Sequence, residues 1–120
     1  MEITLLGRIP SKKNSRVKYK NGAIGVSKAY TVWHKNAMNQ LFIQRIKKSK
    51  LENINIKLSI YYPDLIKADN TNKAESVMDL LVDYGLIKDD NWKCVPSIII
   101  TGELDRVNPR VEITITEIEK

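Results

Sequence analysis

The clearest pattern in the chain is the strict alternation at residues 53–62, where Ile54, Ile56, Leu58, Ile60 and Tyr62 share one face. A period of two with one apolar face predicts a half-buried strand, which Pro63 ends. Residues 2–9 read as a first strand, with Ile3, Leu5 and Ile9 together on one side. Residues 95–101 and 110–116 read as two more, the last with Val111, Ile113 and Ile115 inward, and 102–109 as a hairpin loop between them. From residue 27 to about 48 the period becomes helical. Tyr30, Trp33, Ala37, Met38, Leu41, Phe42 and Ile46 recur at that spacing, and Ser27 is a good N-cap. Arg45, Lys47 and Lys48 are expected in the last turn, where cations suit the negative end of the helix dipole. A second helix is expected at residues 72–84, with Gly85 as its C′ residue. Segments 17–19 and 23–26 flank Lys20-Asn21-Gly22, and Asn-Gly is a strong hairpin-turn signal.

Alternating strands need cover on one face only. The simplest solution is an α/β (α+β) fold: a mixed β-sheet with two helices packed on one face. No internal repeat or low-complexity linker interrupts the pattern, so residues 1–120 are expected to form a single domain.

Composition narrows the chemistry. The chain has 42% hydrophobic residues and no apolar run near the roughly 18 residues of a membrane span. It lacks a signal-peptide pattern, so a cytoplasmic location is expected. One cysteine, Cys94, excludes an internal disulfide framework and a Cys-rich zinc site. The lone His34 lies in a helical pattern and is expected at or near the surface, which argues against a Ser-His or Cys-His triad.

The net charge of +6 is unevenly distributed. Residues 1–50 carry twelve Lys or Arg against one acid, Glu2, whereas residues 51–120 carry eight against thirteen acids. A basic half is the footprint expected for a phosphate backbone, although a merely solvated surface gives the same count. Against this background, residues 68–95 hold six carboxylates: Asp69, Glu75, Asp79, Asp83, Asp89 and Asp90. Glu75, Asp79 and Asp83 fall on one helical stripe, opposite Ala74, Val77, Met78, Leu81 and Tyr84. Like charges at this spacing repel by a few tenths of a kcal/mol per pair. A divalent cation would offset that repulsion, as would Lys67 or Lys73. Two or three carboxylates can take Mg²⁺ when water and a substrate phosphate complete its shell. The purely structural alternative makes Asn72 and Glu75 a capping box, leaves Asp83 in solvent and makes Asp89-Asp90-Asn91 a polar turn.

The segment DNTNKAESVMDLLVDYGLIKDDN resembles the core signature of the RusA-type Holliday junction resolvases. That signature is an Asp-x-Asp-Asn opening to a helix, an Asp-x-Leu on the helix, a Gly after it and then Asp-Asp. Asn72, the Asp79-Leu80-Leu81 segment, Gly85 and Asp89-Asp90 match it without a gap. Pro10-Ser11-Lys12-Lys13-Asn14 is similar to the family's Pro-Ser-x-Asn loop, and Tyr62-Pro63-Asp64 and VEITITE also fit, so the resemblance spans essentially the whole chain. In the ungapped match Asp69 takes the first catalytic aspartate, Thr71 stands at the second, Asp90 takes the third carboxylate and Glu75 stands at the functional lysine. Glu75 is then expected to replace the missing aspartate. A competing match, with a two-residue insertion, puts Asp69 at the second aspartate, Lys73 at the lysine and Lys67 at the first aspartate. The ungapped match is the expected one because it keeps Asn72 and the helix register.

The resemblance implies a Mg²⁺-dependent endodeoxyribonuclease, with Mn²⁺ as an alternative cation, that resolves four-way DNA junctions by phosphodiester hydrolysis. It implies a homodimer acting on branched DNA in recombination, repair or phage DNA processing. The catalytic set is then Asp69, Glu75, Asp90 and Lys73, with the three acids holding the metal. Asp79 and Asp89 are supporting or alternate ligands, and Lys12, Lys13, Asn14, Arg16, Lys67 and Lys73 contact DNA. Because the aspartate pair is incomplete, a catalytically weak or inactive DNA-binding protein is the second reading. An RNA-directed metal nuclease is the third.

Overall fold

The computed structural model describes residues 1–10, 16–18, 24–26 and 28–118, with backbone only for the two short middle segments. The elements run β1 (Glu2–Leu6), β2 (Arg16–Lys18), β3 (Ile24–Val26), α1 (Lys28–Ile43), β4 (Ile54–Tyr62), α2 (Asn70–Tyr84), β5 (Ser97–Leu104) and β6 (Arg110–Glu117). Four strands form one mixed sheet in the order β1-β6-β4-β5, and β2 and β3 pair separately as an antiparallel ladder. This is the expected α+β fold. The Lys20-Asn21-Gly22 turn and the Ser27 N-cap lie outside the described residues.

The alternation at β4 sets the layers. Ile54, Ile56, Leu58 and Ile60 are buried, while their odd-numbered neighbours face the open side. The register carries the pattern across the sheet, because Ile3 lies opposite Ile113, Ile113 opposite Leu58, and Leu58 opposite Ile100. Tyr30, Trp33, Ala37 and Leu41 of α1 and Ala74, Val77, Met78, Leu80, Leu81 and Tyr84 of α2 close the same core. Trp33 and Tyr30 are therefore core residues. On the open side Arg110 stacks on Tyr61 at 3.8 Å and pairs with Asp105 at 2.8 Å and Glu112 at 3.0 Å.

Three expected boundaries move, each for a local reason. The first strand stops at Leu6 because Gly7, at φ 104°, turns the chain, although Ile9 still reaches the core. The first helix stops at Ile43, not near 48. Arg45 adopts φ 58°, and its N–H and that of Ile46 bond back to the Phe42 and Leu41 carbonyls, a Schellman closure. Arg45, Lys47 and Lys48 thus follow the helix, and Phe42 is exposed. The hairpin between the last two strands does not exist. β5 pairs parallel with β4 through α2 as the crossover, and β6 occupies the other edge of β4. Residues 105–109 must therefore pass the end of β4, where the Asp105 N–H bonds the Tyr62 carbonyl at 2.8 Å. Among the described residues no helix is long and apolar enough to cross a membrane.

The row through Leu58 is the centre of this packing. Leu58→Ala is expected to destabilise the protein by about 2–5 kcal/mol. Ser59→Ala, on the open face, should stay within about 0.5 kcal/mol of the parent. Urea denaturation followed by circular dichroism measures both.

Candidate active site at the start of α2

Helix α2 begins two residues earlier than its sequence pattern predicts. Asp69, not Asn72, is the N-cap: its backbone is extended, and its Oδ1 accepts the Thr71 N–H at 3.0 Å and the Thr71 hydroxyl at 2.5 Å. The Asn72–Glu75 capping box is not formed, since an Asp cap one residue before Asn70 already serves the first free N–H groups. Gly85 closes the other end at φ 91°, as expected.

The cap is fixed by the sheet. The Tyr62 hydroxyl donates to Asn70 Oδ1, joining the end of β4 to the first turn of α2. Beside them Gly102 of β5 leaves room that no other residue would leave. A Cβ there would lie 3.1 Å from Asn70 Oδ1 and 3.2 Å from the Tyr62 ring. Burial, and then the charge of Asp69, push the Tyr62 phenol above its ordinary value, which sets the Asp69 carboxylate near that hydroxyl.

One turn on, Lys73 lies half-buried beside Arg8. Burial first and the Arg8 charge second lower its ammonium. Two turns on, Ser76 is fully buried within the apolar stripe and donates to the Pro10 carbonyl at 2.9 Å. That bond anchors the root of the basic loop against α2. Lys12, Lys13 and Asn14 lie outside the described residues, and Arg16 is described only as backbone of β2. Lys67 is exposed on the loop before the cap.

The other acids divide into two groups. Asp89 is a turn former, with its carboxylate accepting the Asp90 N–H at 2.7 Å and the Asn91 amide at 3.2 Å. Burial pushes the Asp90 carboxyl above its usual value, followed by the hydrogen bond and charge of Asp89 and by the charge of Asp79; a backbone hydrogen bond opposes them. The Asp90 carboxyl is therefore under the influence of Asp89 and, less strongly, of Asp79. Glu75, by contrast, is exposed and has no hydrogen bond or ion pair among the described residues. Asp83, expected to face only water, holds His34 of α1 at 2.9 Å.

A cation near Asp90 would lower the cost of ionising it beside Asp89 and Asp79. Among the described residues, however, no group of three or more His, Cys, Asp or Glu side chains is arranged to hold a metal alone. A Mg²⁺ ion bound by only one or two of these carboxylates would need water and a phosphate to complete its shell. The sheet's open face holds a larger concavity of about 580 Å³, lined by Thr4, Ser59, Thr101, Glu103 and Glu112; it has no link to these acids.

Sequence reasoning missed Tyr62, Asn70, Ser76, Gly102 and Arg8 as contributors. One of them left a signal, a polar Ser inside an apolar stripe; Gly102 was expected in a loop, and only its place in β5 marks the close approach. The chain matches the family described as Endodeoxyribonuclease RusA over residues 7–116, a span that contains every candidate residue. A search of curated proteins finds no match.

Two outcomes test this geometry. Asp69→Ala should cost about 1 kcal/mol of stability through the lost cap, read by urea denaturation. Asp90→Asn should have the opposite effect. The raised Asp90 carboxyl means that ionising it costs more in the folded than in the unfolded chain, so the fold carries a penalty above that raised value. The penalty vanishes when both states are protonated, below the ordinary carboxylate value. Without divalent cation, Asp90→Asn should raise Tm near neutral pH and lose that gain below about pH 3.5.

Proposed function

The chain belongs to the endodeoxyribonuclease RusA family, and from that premise we propose that it is a Mg²⁺-dependent, structure-specific endodeoxyribonuclease that resolves four-way DNA junctions by phosphodiester hydrolysis. The observation that carries the reading is the family match over residues 7–116, supported by the raised Asp90 carboxyl beside Asp89 and Asp79 in a chain whose net charge is +6. A basic protein attracts DNA, and repelling acids within it have a use when a cation and a phosphate meet there.

In this reading Asp69 and Asp90 hold Mg²⁺, and Asp79 supports Asp90. When bound, the cation supplies Lewis-acid stabilisation of charge on the phosphate oxygens. Lys73 faces the same phosphate and offsets the charge that builds on the leaving oxygen. Its lowered ammonium fits a group held partly out of water beside a second cation. Thr71 donates to Asp69 and so fixes the carboxylate whose partner aspartate the sequence lacks.

The helix start favours the gapped register. Asp69-Asn70 is the Asp-Asn at the observed N-terminus of α2, and Lys73 follows one turn later. Glu75 then has no catalytic duty. Lys12, Lys13, Asn14, Arg16 and Lys67 would position the DNA through its phosphates. Cutting both strands of a junction symmetrically calls for two sites related by a two-fold axis, hence a homodimer. The second reading, a catalytically weak or inactive DNA-binding protein, draws on Lys67, which stands at the family's first aspartate in this register, and on the absence of a three-acid group among the described residues.

A synthetic four-way junction with Mg²⁺ separates the two readings. The parent is expected to cut the junction in preference to duplex, flap and RNA substrates, and Asp90→Asn to slow cutting on the order of a hundredfold or more. Binding without Mg²⁺-dependent cutting in the parent would favour the second reading. Equal cutting by Asp90→Asn would remove Asp90 from the site.

A further inference from the structure

A groove of about 380 Å³ is lined by the segment after β1, by Val32, Asn36 and Gln40 of α1 and by Lys73 of α2. We propose that this groove binds a second backbone phosphate of the DNA strand, flanking the one that is cut, with Arg8 as its principal contact; the inference rests on the nuclease reading above.

The lining has the chemistry of a phosphodiester site. Among the described residues its ionic side chains are Arg8 and Lys73, and no carboxylate lines it. Gly7, with its positive φ and its N–H on the Pro109 carbonyl at 2.9 Å, turns the chain so that Arg8 leaves the sheet edge and meets the groove. Asp64 steadies Arg8 through one contact, Nη1 to Oδ2 at 3.1 Å, while the Arg8 side chain remains 52% exposed. A guanidinium has five donors in a planar fork, so one contact leaves most of it for an anion. The Gln40 amide is committed to both polar groups of the Leu6 backbone, at 2.8 and 3.2 Å, and acts as a rigid wall. Asn36, exposed one turn before Gln40, has no side-chain hydrogen bond among the described residues and adds an amide donor. Trp33, Val32 and Ala29 give an apolar floor that suits deoxyribose.

Lys73 connects this groove to the proposed site. It lines the groove and lies one turn from Asp69 on the same helix. A strand whose cut phosphate faces Lys73 therefore meets Arg8 with a neighbouring phosphate. Such a contact carries no base information and fixes register along the strand.

The test is junction binding without divalent cation, by fluorescence anisotropy of the labelled four-way junction over a salt series. Single-turnover cutting with Mg²⁺ at saturating DNA is measured alongside. Arg8→Gln should weaken binding several-fold, with the slope of log K against log salt shallower by about 0.9 per protomer, one phosphate contact. Arg8→Lys should keep the slope. Asn36→Asp leaves the Arg8–Asp64 pair intact and puts an acid in the groove, and it should also weaken binding. Parent-like affinity and slope in both Arg8→Gln and Asn36→Asp, with a parent that binds and cuts, would overturn the groove and leave the nuclease reading intact. A parent that binds no DNA would overturn both. Competition by inorganic phosphate at concentrations that leave the salt slope of Arg8→Gln unchanged would support the groove; equal competition in parent and Arg8→Gln would count against it.

Discussion

Ser76 is a hydroxyl with no exposure to solvent, and such a group must find a hydrogen-bond partner or destabilise the fold by about 1–3 kcal/mol. Its partner is the Pro10 carbonyl, sixty-six residues away in sequence. That bond, together with the buried apolar stripe of α2, ties the helix to the first segment of the chain. With α2 so set, the other positions follow from helical geometry. Asp69 caps the end that meets β4, Lys73 turns toward Arg8, and Asp79 comes close enough to Asp90 for their charges to interact. The Tyr62–Asn70 bond, admitted by the missing side chain at Gly102, is a second anchor at the capped end.

The site works against the stability of the chain that carries it. Carboxylates that repel one another and a half-buried lysine held beside an arginine are arrangements that a sequence selected only for folding would avoid. Both strained groups lie on or next to α2, and the opposite, open face of the sheet shows the reverse. There Arg110 is fully matched by Asp105, Glu112 and the Tyr61 ring. The shifted groups on and beside α2 thus lie on the face on which the family's chemistry is proposed to occur.

Much of the fold was legible because β4 and α2 each carry a clean period. The inward residues of β4, the core stripe of α2 and the Gly85 closure all fall where the spacing put them. Pairing order was not legible, because β5 and β6 alternate equally well as a hairpin or as strands on opposite edges of β4. What separates them is the parallel pairing of β5, a long-range fact. The start of α2 was misjudged because Asn72 and Glu75 form a plausible capping box in sequence. Asp69 wins because Asn70 is already held by Tyr62, a contact made across the sheet. The same two-residue difference decides which residue stands at the family's lysine position, and no reading of local pattern could settle it.

The proposed assignment of Lys73 to that position, with Glu75 as an exposed bystander, is tested most directly by single-turnover cutting of a four-way junction with Lys73→Gln and Glu75→Gln side by side. The account expects Lys73→Gln to slow cutting on the order of a hundredfold while junction binding stays within a few-fold, and Glu75→Gln to cut at about the parental rate. Loss of cutting in Glu75→Gln with a parental rate in Lys73→Gln would contradict it and restore the ungapped register.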